Sequence, residues 1–239
     1  MREESATSRF GYPHRHFLRT DSTNTRAREL AAAGAPHGTV VTADEQTAGR
    51  GRQGRTWTAP AGKALLYSAV VRPLTERHGM LPLAVPLAVC EAAEALAPGA
   101  ECRVKWPNDV HLEGRKLAGI LIEARPQDGW AVIGVGLNLD ISPDEFPPDL
   151  RDTATSLLVP SASLAADVLS RRLDEWVEAE PETVLAAWRE RDALRGREVE
   201  WDGGSGVADG VDGRGYLVVV TASGERLALG AGEVHLTRF

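Results

Sequence analysis

Gly49, Gly51 and Gly54 alternate with Arg50, Arg52 and Arg55 in the run GRGRQGR, and Trp57 lies two residues beyond. Three guanidiniums this close repel one another, so gathering them on one flexible loop favours an anionic ligand. The competing reading is a solvated loop that binds nothing. Two phosphate-binding patterns almost fit. The glycines satisfy G-x-G-x-x-G, and Gly49 to Thr56 reads G-x-x-x-x-G-R-T, with arginine where a P-loop has lysine. Both patterns need a strand running straight into the loop and a helix leaving it, because the helix N-terminus supplies amides and dipole to the phosphates. Here the polar DEQTA precedes the loop, and TWTAPAG follows it with Pro60 and Gly62. Neither pattern is met. Arginine–glycine segments that bind RNA are long and of low complexity; this one ends at Trp57.

Two further stretches carry groups of the same kind. VKWPNDV (104–110) reads as a strand ending in a Pro-Asn-Asp turn that exposes Lys105, Trp106, Asn108 and Asp109. GRKLAGILIEA (114–124) begins a strand at Lys116 and carries Gly119, whose missing side chain lets a ligand approach the backbone. Only three of the 27 basic residues are lysine: Lys63, Lys105 and Lys116. A point-charge ammonium and a planar fork are not interchangeable, and two of these lysines fall in the two stretches. With the loop, they make a site able to hold several phosphate and carboxylate oxygens.

The elements that must position these groups are mixed. Ser22–Gly34 reads as a helix capped by Asp21 or Ser22, GTVVTA as a short strand, and Lys63–Val71 as a buried strand. A helix is expected within Met80–Ala97, starting near Pro82 or Pro86. CRVKW, DVHL, KLAGILIEA and WAVIGVGLNLD, with turns at Glu113-Gly114 and Asp128-Gly129, read as an antiparallel meander. Helical patterns return at Ser163–Ala179 and Pro181–Leu194. After Arg195, brief strands separated by glycine suit a small β-barrel. The expected organisation is a domain over 1–194 and a second over 195–239.

Composition bounds the class. With 239 residues, 43% hydrophobic and 26% charged, the chain is ordinary globular material with room for a sizeable core. A net charge of −7 argues against a surface built for nucleic acid. The apolar run Met80–Cys90 is too short to span a bilayer, and no signal peptide opens the sequence, so a cytoplasmic location is expected. Cys90 and Cys102 sit among apolar residues and read as buried thiols. His14 and His16 lack companion metal ligands. Trp106 and Trp130 read as core, and Asp174 and Glu175 as a solvated helix face.

Taken together, GRGRQGRTW, DSTN (21–24), EQTAG, KWPNDV, GRKLAGILIE and GVGLN (134–138) resemble, in order, the motifs of the biotin–protein ligases, and the resemblance covers nearly the whole chain. It implies an α+β fold: a mixed, largely antiparallel sheet flanked by helices, related to class II aminoacyl-tRNA synthetases, with a C-terminal SH3-like barrel. The implied activity is conversion of biotin and ATP to biotinyl-5′-AMP and pyrophosphate, with Mg²⁺. Biotin then passes to a lysine of a biotin carboxyl carrier domain. Carried over residue by residue, Lys116 and Arg52 are catalytic, at the carboxylate and α-phosphate. Biotin contacts fall to Ser22, Thr23, Asn24, Gln46, Gly49, Arg50, Gly51, Arg52, Lys116, Gly119, Leu121, Gly134 and Gly136. Nucleotide contacts fall to Arg52, Arg55, Trp57, Asn108, Lys116 and Asn138; the resemblance assigns no metal ligands. Regulatory members carry an N-terminal helix-turn-helix domain. About twenty residues precede DSTN here, so no DNA-binding role is expected. Lipoate–protein ligases share the implied fold but have a different arginine/glycine motif. The Gly49–Arg55 loop is expected to be mobile without ligand and to fold over the adenylate.

Overall fold

The computed structural model describes residues 9–230 and the backbone of 234–236. A seven-stranded sheet has the order β1-β2-β3-β7-β6-β5-β4, from His14–Thr20, Val40–Gln46, Ala64–Val71, Cys102–Lys105 (β4), Asp109–Leu112 (β5), Arg115–Arg125 (β6) and Trp130–Asn138 (β7). The expected meander is present: β4 to β7 pair antiparallel in sequence order. Strand β1 was not foreseen. It is an edge strand parallel to β2, and its mostly exposed residues, with Leu18 77% exposed, give no alternation to read.

Burial along β3 and β7 is unbroken: helices pack on one face, and the helix Thr23–Ala32 with the Trp57 indole covers most of the other. Period-two alternation divides their residues. Leu65, Tyr67, Ala69 and Val71 of β3, with Ala131, Ile133, Val135 and Leu137 of β7, join the main core with the helices α2 (Leu81–Leu96) and α3 (Ala162–Val177). Val70 and Val132 face the other way, against Ala27 and Ala31 of α1 (Thr23–Ala32). Helix α1 covers only part of that second face. Beyond its first residue the sheet lies open, and Leu66, Gly134, Gly136 and Asn138 line the resulting cleft.

Pro82 lies in the first turn of α2 and Pro86 inside it. With the preceding 3₁₀ turn, Glu76–Leu96 forms a helical run of 21 residues, apolar and long enough to cross a membrane. Its residues from Leu83 to Val89 are almost fully buried in the core. Helix α4 (Pro181–Arg191) leads to a separate five-stranded antiparallel sheet, order β11-β10-β9-β8-β12, formed by Glu198–Trp201 (β8), Gly204–Val211, Leu217–Val220, Arg226–Leu229 and Val234–Leu236 (β12). Its Val199, Ala208, Leu217 and Val219 belong to the same continuous core as α2 and β7, and Trp106 Nε1–H donates to Gly215 O at 3.1 Å. Cys90 and Cys102 are buried free thiols.

Candidate active site

The cleft has a volume of about 310 Å³. At its closed end the start of α1 meets the end of β2. The Gln46 carboxamide oxygen accepts from the Thr23 backbone N–H at 2.6 Å and from Thr23 Oγ1 at 3.0 Å, capping the helix from a neighbouring strand. Ser22 occupies the N-cap position, yet its side chain makes no cap bond. Ser22 lines the cleft. Asp21 fixes the approach to the helix: it accepts from the Ser22 N–H at 2.7 Å, and the Arg26 guanidinium forked onto it at 3.1 and 2.9 Å holds its carboxyl down at about 2.

Asn24 is held from both sides. Ser68 Oγ contacts its Oδ1 at 2.6 Å, and its Nδ2 donates to Glu123 Oε2 at 3.0 Å. This orients a carboxamide directly above Gly134, where a Cβ would land on the Asn24 amide. Gly136 and Gly119 do the same for Trp57: a Cβ on Gly136 would overlap the indole, and one on Gly119 would approach it to 3.0 Å. The glycines are therefore the floor on which Asn24 and Trp57 rest.

The open end is cationic. Lys116 Nζ lies 2.8 Å from Asp109 Oδ1 and 5.9 Å from the Trp57 ring centroid. Strict alternation along β6 would put Lys116 and Gly119 on opposite faces. A register shift against β5 inserts one extra residue between them, so both line the cleft. Arg52 donates to Asn108 Oδ1 at 3.3 Å, while Asn108 Nδ2 donates to Ile120 O at 2.9 Å. Burial and then the nearby Arg55 lower the Arg52 pKa; a guanidinium stays charged regardless. Arg50 pairs with Glu123 at 3.1 Å. The loop itself is a small hairpin closed by Gly51 N–H to Arg55 O (2.7 Å) and Trp57 N–H to Gly49 O (3.0 Å).

Of the residues expected to bind ligand, all line this cleft except Gly49, which backs the loop where a side chain would strike the Trp57 carbonyl. Polar donors and acceptors at one end and two or more fixed cations at the other suit a neutral hydrogen-bonding head group with an anionic tail. Residues 17–140 match the profile of the Biotin/lipoate A/B protein ligase family. The chain belongs to that family.

Among the relatives of this ligase-family chain, the biotin–[acetyl-CoA-carboxylase] ligase of Mycobacterium tuberculosis is 40% identical, over 91% of this chain and 86% of that protein. The bifunctional ligase/repressor BirA of Bacillus spizizenii is 41% identical over 57% of this chain, which spans 43% of that protein. The biotin protein ligase from Aquifex aeolicus in complex with biotin and ATP superposes with a TM-score of 0.79 at 27% identity, covering 96% of this chain and all of that one.

Several expectations need correction. Trp106 is buried like Trp130, as their reading as core expected, so the turn does not expose it, and Lys105 is half-buried and absent from the cleft lining. Asp174 is not merely a solvated carboxylate: it accepts from the backbone N–H groups of Arg9 and Phe10, both at 2.8 Å. Sequence reasoning missed Ser68, Glu123 and the segment carrying Phe146, Leu150, Thr153 and Ala154, which walls the cleft. Ser68 left a signal, a hydroxyl residue inside an otherwise apolar strand; the wall left none.

In this ligase-family site, Gly134→Ala is expected to force Asn24 off its partners and destabilise the fold by about 1–3 kcal/mol, the usual cost of overpacking. Thermal melting of the variant checks this, and an unchanged midpoint would mean that α1 shifts freely.

Proposed function

We propose that the chain activates biotin with ATP and transfers it to a lysine of a biotin carboxyl carrier domain of a biotin-dependent carboxylase. The observation that carries this reading is the pairing, in one cleft, of the Ser22–Thr23–Asn24–Gln46 cluster with the Arg52–Lys116 end, in a chain alike over nearly its whole length to a ligase solved with biotin and ATP. The ureido ring of biotin has two N–H donors and one carbonyl acceptor. The Ser22 hydroxyl and the fixed amides of Asn24 and Gln46 offer complementary groups.

In the first step a biotin carboxylate oxygen attacks the α-phosphorus; the new O–P bond forms as the bond to the β-phosphate oxygen breaks, and pyrophosphate leaves. An anion must approach a polyanion, so cations already in place offset the repulsion. Lys116 and Arg52 fill that role, and Trp57, Asn108 and Asn138 are assigned to the nucleotide, with Arg55 beside its phosphates. In the second step the carrier lysine, as a free amine, attacks the acyl carbon; an amide forms and AMP leaves. Mg²⁺, if bound with ATP, would offset the charge of the phosphates at the cationic end of the cleft. Asp109 is the carboxylate at the cationic end of the cleft, and no cluster of three metal-ligating side chains occurs among the described residues. Asp109 is the residue that would hold such an ion.

The reading places the protein in the cytoplasm, and its acidic balance of −7 supports no DNA or membrane partner. It takes residues 1–194 as a catalytic domain related to class II aminoacyl-tRNA synthetases, and 195–239 as an SH3-like barrel that closes the nucleotide site or docks the carrier. Because Val199, Ala208, Leu217 and Val219 share the main core, truncation after Leu194 is expected to lower the melting temperature and abolish transfer together. A soluble truncated protein with full transfer activity would remove the barrel from the mechanism.

The deciding experiment is biotin labelling of a carrier domain, alongside ATP–pyrophosphate exchange with biotin or lipoate. Biotin-dependent exchange and labelling of one carrier lysine are expected. Exchange that responds only to lipoate would turn the assignment to the lipoate branch of the family.

A further inference from the structure

A second cavity, of about 480 Å³, lies at the opposite end of α1 and β3 from the cleft, lined in part by Arg9, His37, Arg72, Arg77, His78 and Glu178. Its two imidazoles are set in one tautomer by the backbone. His37 Nδ1 accepts from the Arg72 N–H at 3.3 Å, and His78 Nδ1 accepts from the Thr75 N–H at 2.8 Å. A backbone N–H only donates, so each neutral ring carries its proton on Nε2. Both Nε2 atoms are buried without a hydrogen-bond partner among the described residues, and the His78 side chain is only 7% exposed. Two buried N–H donors with nothing to donate to are costly unless something completes them.

Glu178 does not complete them. Its Oε1 is 4.0 Å from His78 Nε2, too long for a hydrogen bond, and its carboxylate is already shared by Arg9 at 3.8 Å and Arg77 at 3.3 Å. Arg72 has no carboxylate partner among the described residues; its guanidinium donates to Ala35 O at 3.0 Å and Ala31 O at 2.8 Å, leaving further N–H groups. Arg77 also reaches Glu180 Oε1 at 3.4 Å, so three guanidiniums meet two carboxylates, and Arg72 pairs with neither. A metal cation is a poor fit, since the ring nitrogens that would ligate it carry protons and the surroundings are positive. Burial lowers both imidazole pKa values, which keeps the rings neutral and their Nε2–H groups in place near neutral pH.

We propose that this cavity is a second ligand site, which binds a small phosphate-class oxyanion through His37 Nε2–H, His78 Nε2–H and the Arg72 guanidinium. The site is independent of the ligase reading. The oxyanion comes either as free orthophosphate or as the phosphate end of a nucleotide, the two sharing the acceptor oxygens that the donors need.

Long-range ¹H–¹⁵N spectra of the histidine rings in the full-length protein test this directly. In phosphate-free buffer both rings are expected as Nε2–H tautomers. Orthophosphate is expected to shift His37 and His78 together and saturably. A parallel titration with AMP separates the sources: stronger shifts with AMP assign the site to a nucleotide phosphate, and shifts with orthophosphate alone assign it to the free ion. Arg72→Gln is expected to weaken binding at least about tenfold, by loss of a charge-assisted donor. Because Arg72 also ties down the end of α1, the exposed Arg77→Gln serves as a second variant that keeps the fold; it should weaken binding severalfold while pyrophosphate exchange stays at the parent rate. Nδ1–H tautomers, rings unmoved by either ligand, or unchanged binding by both variants would overturn the proposal.

Discussion

Lys116→Ala is expected to cut biotin-dependent ATP–pyrophosphate exchange about 100- to 1,000-fold while the protein stays folded, the usual loss when one preorganised donor to developing charge is removed. The backbone keeps Lys116 in place without its side chain: its N–H donates to Thr153 O at 2.7 Å, and its carbonyl accepts from the Thr155 N–H at 2.9 Å. The strand and the cleft wall therefore survive the substitution. What is lost is a single ammonium aimed by Asp109 and by the bulge in β6. Lys116→Arg is also expected to be impaired, because a broad fork must fit where a point donor rests between Asp109 and the Trp57 ring. Near-normal exchange by folded Lys116→Ala would take this residue out of the chemistry. Asp109→Asn separates aiming from charge. It frees the ammonium without removing it, so a smaller loss is expected than for Lys116→Ala.

The chemistry was more legible in the sequence than the scaffold behind it. GRGRQGR, KWPNDV and DSTN place charged and polar groups in short contiguous runs, so residue type alone marks them as unusual. Strands β3 and β7 were equally plain, because burial on both faces leaves continuous apolar runs. Which of their residues face the cleft was not plain, since that depends on where α1 starts. The β6 bulge was also hidden. KLAG reads as regular alternation, and only the pairing with β5 reveals the extra residue that turns Lys116 inward. Glu123 lies near the end of β6. In the fold it gathers Asn24, Arg28 and Arg50 from positions about 70 to 100 residues away in sequence, a convergence no local pattern encodes. Strand β1 was missed for the opposite reason: it buries too little for any periodicity to show.

Arg52→Gly is expected to do two things at once: slow adenylate synthesis and let the finished adenylate escape. Arg50 and Arg52 are held apart on separate partners, Glu123 and Asn108. The hairpin that carries them puts Gln53 in the left-handed region at φ 54°, a conformation that costs a non-glycine residue about 1–2 kcal/mol. Two short backbone hydrogen bonds close the hairpin, and outside it the two arginine side chains hold only Glu123 and Asn108 among the described residues. A bound carboxylate and phosphate supply the negative charge that lets the arginines converge, so the loop should close once ligand is present. Closure keeps water from a hydrolysable mixed anhydride until the carrier lysine arrives. An arginine removed from the lid therefore weakens both attraction and retention. The expected result is a fall in pyrophosphate exchange of about 10- to 100-fold, with free biotinyl-adenylate appearing as biotin on lysines of unrelated added proteins. Arg50→Gly should leak with a smaller synthetic loss, because Arg50 already spends its charge on Glu123. Hydrogen exchange of the loop amides, with and without a non-hydrolysable adenylate analogue, tests the premise beneath both variants. Protection should rise on binding; equal and strong protection in both states would mean a rigid loop, and any leak would then need a cause other than an open lid.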